Sequence, residues 1–243
     1  MTEEQWPSCT DPTPMLEFLW SSGRASDRKL RLFAAACCRH IWPLVEDERS
    51  REAVAVAERV ADGPADAGHV ARVAEGADQA NRLAYYLDQT DSVDIHASGA
   101  AFNLVGAGPF TSRRADAVAD QAAECVRWSW WAVGEAGTAH AEREVERRSQ
   151  ASLLRCVFGN PVRPAEVDPA WLAWHGGAIV RLAQAVYDER ELPSGHLDAA
   201  RLAVLADMLG EAGCVDAELL THLRAPGPHV RGCWAVDLLL NQR

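Results

Sequence analysis

Apolar residues recur at three- and four-residue steps through SDRKLRLFAAACCRHIWPLV, residues 26–45, and this stripe constrains the fold more than any other feature. Leu30, Phe33, Ala34, Cys37, Ile41 and Leu44 share one side of a helix. Ser26 is suited to cap it, because its hydroxyl can accept from an amide two or three residues on. Asp27 places a negative charge where the helix dipole favours one. Pro43 predicts a stop or kink near His40. Arg28, Lys29, Arg31 and Arg39 fall mostly off the stripe. Nowhere does a long alternating apolar/polar run rich in Val, Ile and Thr appear, so no strand is expected.

The rest of the chain repeats the helical theme between breakers. Residues 1–13 read as an extended arm, followed by a short helix around Met15–Trp20 that stops at Gly23. Ser50 is expected to cap a third helix, which Asp62-Gly63-Pro64 ends, and Asp66 a fourth that runs to about Gln89. Residues 90–99 read as a loop, and residues 100–105 as a weak helix before Gly106-Ala107-Gly108-Pro109. Residues 112–158 are almost continuously helix-forming, with a break at Gly134 and Gly137. Trp128 and Trp131 can share a face, and the Glu/Arg-rich stretch from His140 to Gln150 reads as a solvated face. Gly159-Asn160-Pro161 stops that helix, and Asp168-Pro169 supplies an N-cap and first-turn pair for the next. Helices are then expected at 178–190, 197–210, 216–223 and 229–240.

The fold class expected is all-α, an irregular multi-helix bundle or short helical array. Residues 1–159 would form an N-terminal helical part with a variable, alanine-rich middle. Residues 160–168 would be a hinge, and 169–243 a C-terminal helical part. At 243 residues the chain is long enough to bury a sizeable core without disulfides.

Composition removes several functions. A net charge of −11 argues against broad binding to nucleic acid or anionic membrane, since phosphate contacts need surplus Lys and Arg. The segment AELLTHLR offers only Arg224 to a base or phosphate, too little for a recognition helix. No run of apolar residues is long enough to span a bilayer. MTEEQWPSC lacks the apolar region of a secretory signal, and the seven scattered cysteines suggest reduced thiols, so a cytoplasmic location is expected. No GxxxxGK[ST] or strand-linked GxGxxG is present to cradle phosphate.

Three stretches resemble a known group: DRKLRLFAAACCRHIWPLVEDERSREAV (27–54), LLRCVFGNPVRP (153–164) and RAPGPHVRGCWAVDLLL (224–240). The chain resembles, over both ends, an uncharacterised family of bacterial proteins that occur in many paralogous copies per genome. The middle, roughly 60–150, matches poorly, and in the family this part varies in length. The resemblance places an acidic residue where this chain has Cys156, and Asn-Asp-Gly where it has His175-Gly176-Gly177. It therefore implies no family-wide role for Cys156 or His175, and a grouping by fold without a mechanism.

The residues themselves offer one constellation that could carry chemistry. Cys37 and His40 lie at i,i+3 on the organising helix, and His229 and Cys233 at i,i+4 on the expected last helix. Two sulfurs and two imidazoles make a tetrahedral zinc site if the helices meet, stapling one end of the chain to the other. A second possibility is a cysteine-dependent hydrolase, with Cys233 after Gly232 near a helix start and His229 as base. The leading expectation is a non-enzymatic helical interaction or scaffold module that binds another protein and needs no cofactor. Trp6 and Trp20, read as exposed, would be anchors of its interface.

Overall fold

A computed structural model describes residues 1–88, 92–105 and 109–242. Every regular element among them is helical. The N-terminal helices are α1 (Gln5–Ser8), α2 (Pro12–Ser21), α3 (Asp27–His40), α4 (Glu48–Asp62), α5 (Ala67–Asp88), α6 (Val93–Val105), α7 (Ser112–Ala132) and α8 (Ala136–Phe158). After the 159–168 connection come α9 (Pro169–Ala173), α10 (Ala178–Asp188), α11 (Ala199–Glu211), α12 (Ala217–Arg224) and α13 (Trp234–Leu240). Two 3₁₀ turns, Trp42–Leu44 and Trp174–Gly176, follow α3 and α9. Only isolated bridges, Glu191 with His196 and His196 with Val230, have β geometry among the described residues. The expectation of an all-α fold is met.

The organising helix behaves as its sequence requires. Ser26 Oγ accepts from the Lys29 amide, and the 3₁₀ turn holding Pro43 terminates α3. Leu30, Phe33, Ala34, Cys37 and Ile41 are buried, as is Cys38 on the neighbouring face. Burial on more than one face follows from position: α3 packs against α4, α6, α7 and α8 at once. One apolar cluster runs from Trp6 and Met15 through α3, α7 and α8 to Leu205, Leu219 and Val236.

Several expectations are corrected. Trp6 is core, not surface: α1 folds it inward, and its indole N–H donates to the Gly159 carbonyl at 2.8 Å. Trp20, by contrast, is exposed as expected, at 60%. The cap of α4 is Asp47, whose carboxylate accepts from the Arg49 amide, while Ser50 is buried inside the helix. Residues 93–99 belong to α6; their small residues let α6 pack closely against α5 and α7, which outweighs their loop-like composition. Residues 106–108, read as a breaker, and Gln89 lie outside the described residues. The face expected to be solvated at His140–Gln150 carries buried Glu146, Arg147 and Gln150, each hydrogen-bonded to a neighbouring element or side chain. No described helix is long and apolar enough to cross a membrane.

Buried ion pairs tie the two halves together. Arg28 on α3 grips Asp237 on α13 at 2.6 and 3.1 Å and also reaches Asp62 and Tyr187. Arg39 pairs with Glu58, which also accepts from Arg190 on the segment after α10.

Candidate metal centre

The last stretch expected to be helical, 229–240, is helical only from Trp234. Residues 225–233 form a tight loop instead. Gly227 and Gly232 take positive φ values of 109° and 86°, a region that L side chains rarely adopt. A Cβ on Gly232 would stand 2.7 Å from Leu32 Cδ1, so the loop lies directly on α3. Its register is pinned by the Leu197 amide, which donates to the His229 carbonyl, and by the Cys233 amide, which donates to the Val230 carbonyl. His229 and Cys233 therefore converge through a turn, not through a helical i,i+4 face.

Two further residues meet them. Cys156 comes from the last turns of α8, and His222 from α12. One ligand atom from each of Cys156, His222, His229 and Cys233 lies within 4.8 Å of the others. His222 Nε2 is 3.2 Å from Cys233 Sγ. A tetrahedral zinc ion with ordinary Zn–S and Zn–N bonds spaces its ligand atoms about 3.3–3.8 Å apart. The cluster is therefore close to the size of an S₂N₂ shell. Cys156, His229 and Cys233 are 2%, 3% and 0% exposed.

The orientation of His229 is set as a metal ligand's is. Its Nε2–H donates to the Ala225 carbonyl at 2.9 Å, which fixes the tautomer. That leaves the lone pair on Nδ1. Nδ1 is buried and has no hydrogen-bond partner of acceptable geometry, although the Cys233 sulfur beside it helps to raise the His229 pKa against the lowering effect of burial. The imidazoles of His222 and His229 meet edge to face at 4.8 Å, and Trp234 packs on His222 at 5.2 Å.

The two sulfurs are shifted in opposite directions. For Cys233, burial acts to raise the pKa, but a hydrogen bond from Cys156, the charge and hydrogen bond of His222 and the adjacent His229 imidazole hold it well below 9.0. Cys156 is pushed well above 9.0, first by its hydrogen bond to Cys233 and then by burial. A backbone hydrogen bond with Val230 acts the other way. A thiolate with imidazoles around it is the donor set that soft and borderline cations select.

The structure divides the expected ligand set. His229 and Cys233 belong to the cluster; Cys37 and His40 do not. The two terminal helices do meet, but at the opposite end of α3, where Arg28 holds Asp237. Cys37 lies nine residues, about 13 Å, beyond Arg28, and five residues, about 7.5 Å, beyond Leu32, where Gly232 of the loop touches α3. Cys37 is fully buried, and burial pushes its thiol well above 9.0. His40 Nδ1 lies 2.6 Å from Glu146 on α8. Glu146 is ten residues, about 15 Å, upstream of Cys156 on the same helix.

His222 and Cys156 escaped the sequence reading. A signal for His222 was present: three of the four cluster residues fall within 222–233, on either side of Pro-Gly-Pro. For Cys156 no local signal exists. The hydrolase expectation meets a physical obstacle, since Cys233 is 0% exposed and an acyl substrate has no approach to its sulfur.

Compared with known proteins, the chain matches no family model, no curated protein and no solved structure.

Proposed function

We propose that this chain is a helical protein stapled by a structural zinc ion, with Cys156, His222, His229 and Cys233 as the four ligands. The observation that carries the reading is the convergence of two sulfurs and two imidazoles from three separate segments within 4.8 Å. Four protein ligands leave no open position, which is the arrangement of a structural rather than a catalytic zinc. Such an ion fastens the 225–233 loop and α12 to the end of α8, and so holds the C-terminal helices on the N-terminal ones. The thiolate–imidazole set favours zinc over magnesium or calcium, which take oxygen ligands.

Elemental mass spectrometry of purified, tag-free protein tests this. About one zinc per chain is expected, lost in Cys156→Ser and His222→Gln and retained in Cys37→Ser and His40→Gln. Metal-free wild-type protein that takes up no zinc on titration would overturn the reading.

A separate observation favours a role in binding another protein. Tyr85, Tyr86 and Leu87 near the end of α5, and Trp130, Trp131 and Val133 at the end of α7, are exposed. Exposed aromatics are enriched at interfaces. The test is a Tyr86→Glu, Trp131→Glu double variant, which should lose a co-purifying partner while keeping its zinc.

A further inference from the structure

A cleft of about 800 Å³ opens between the start of α3, the 159–167 connection and α13. That volume suits a small organic molecule. Lys29, Phe158, Asn160, Arg163 and Trp234 are among the residues that line it. Lys29 is half-buried there, and its Nζ stands over the Phe158 ring at 5.8 Å from the centroid.

Lys29 is the unusual member. Among the described residues no carboxylate forms an ion pair with it. The acids that share the cleft are engaged or outlying. Asp237 is held by Arg28 at 2.6 Å, Glu218 lies 3.4 Å from Arg163, and Glu166 is exposed. Burial disfavours this cation, the Asp237 carboxylate offsets that only through space and without a direct ion pair, and an anion arriving in the cleft offsets it further. The walls beside it are aromatic. Gly159 lets the chain approach Trp234 so closely that a Cβ there would stand 2.8 Å from the indole.

We infer that this cleft binds a small aromatic or apolar organic acid, whose carboxylate or phosphate pairs with Lys29 Nζ while its body lies against Phe158 and Trp234. Charge supplies orientation and the rings supply contact area. The inference does not require the zinc reading, because neither Lys29 nor Phe158 is a ligand in it, although Trp234 packs on His222 and so borders both sites.

The test uses as-purified full-length protein and three probes of similar shape: benzoate, phenyl phosphate and neutral benzamide. Binding is followed by the Trp234 indole N–H resonance, assigned with Trp234→Phe. At least one anion should saturate this shift and bind about tenfold or more tightly than benzamide. A preference for benzoate identifies a carboxylic acid, and one for phenyl phosphate a phosphate ester. Lys29→Met should weaken the anion about tenfold and leave benzamide unchanged, while Lys29→Arg keeps the anion. If Lys29→Met does not fold, the anion-to-benzamide ratio in the wild type decides alone. Equal binding of anion and amide, an unaffected Lys29→Met, or no shift at about 10 mM of either anion overturns the inference.

Discussion

His222 Nε2 lies 3.2 Å from the Sγ of Cys233, although the two residues sit on opposite sides of a loop that contains no helix. Their approach depends on Gly227 and Gly232, whose positive φ values turn the chain back on itself. The third and fourth members, His229 and Cys156, then close round them.

Chelation should destabilise the protein. With free zinc held a thousandfold above its Kd, the ion contributes about 4 kcal/mol. Thermal unfolding of the wild type should therefore fall on chelation to the Tm of Cys156→Ser, whose own Tm should not respond to chelator. A cobalt(II)-substituted protein should show the visible bands of a tetrahedral thiolate site. An unchanged wild-type Tm would mean that no metal holds the fold.

Zinc uptake at neutral pH should release protons. The Cys156 thiol, raised well above 9.0 by its hydrogen bond to Cys233 and by burial, must ionise to become a ligand. At least about one proton per zinc is expected, read by calorimetry in buffers of different ionisation enthalpy. Affinity should fall as the pH is lowered, because protons compete with the metal for its ligands. Proton-free binding would remove Cys156 from the ligand set.

The His40–Glu146 pair makes a separate, metal-independent prediction. The hydrogen bond to Glu146 raises the His40 pKa above 6.5 in the folded state, and burial only partly opposes it. A raised folded value means that the stabilising contribution is complete below the unfolded pKa of about 6.5. It is lost as the pH rises through the higher folded value. His40→Gln should flatten this part of the stability–pH curve, measured by urea unfolding between pH 5 and 9 in steps of about one unit. A variant curve parallel to the wild type would show that the pair is not coupled to folding.

Glu58 should be among the costliest single residues to remove. It is 3% exposed and accepts from both Arg39 and Arg190. Glu58→Ala leaves the buried Arg39 and the half-buried Arg190 without their carboxylate, at a cost of about 3–5 kcal/mol by denaturant unfolding. A loss below about 1 kcal/mol would show that water replaces the carboxylate.

Gly159→Ala should disturb the cleft and the metal centre together. Gly159 has φ of 62°, and an added Cβ would press on the Trp234 indole next to Cys233. About 1–3 kcal/mol of destabilisation is expected from the strained backbone and overpacking. Weaker zinc retention should accompany it, read by competition with a chromophoric chelator.

The chain's helices were legible because their causes are local. The stripe on α3, the Ser26 and Asp168 caps and the Gly134 break each act within a few residues. Where a helix was missed, at 93–99, small residues gained their helical conformation from packing between α5 and α7, which local propensity does not report. Where a helix was overextended, at 229–233, glycine geometry and contact with Leu32 replaced it by a loop.

By itself the sequence determined an all-helical chain, its main breakpoints, and two of the four residues that cluster, His229 and Cys233. Only the tertiary structure decided that their companions are Cys156 and His222 and not Cys37 and His40. The reason is distance along rigid rods. A helix carries each side chain 1.5 Å further per residue, so which turn of α3 meets α13 settles which residues can meet. That meeting point is set by Arg28 and Asp237, 209 residues apart, and no local pattern encodes it.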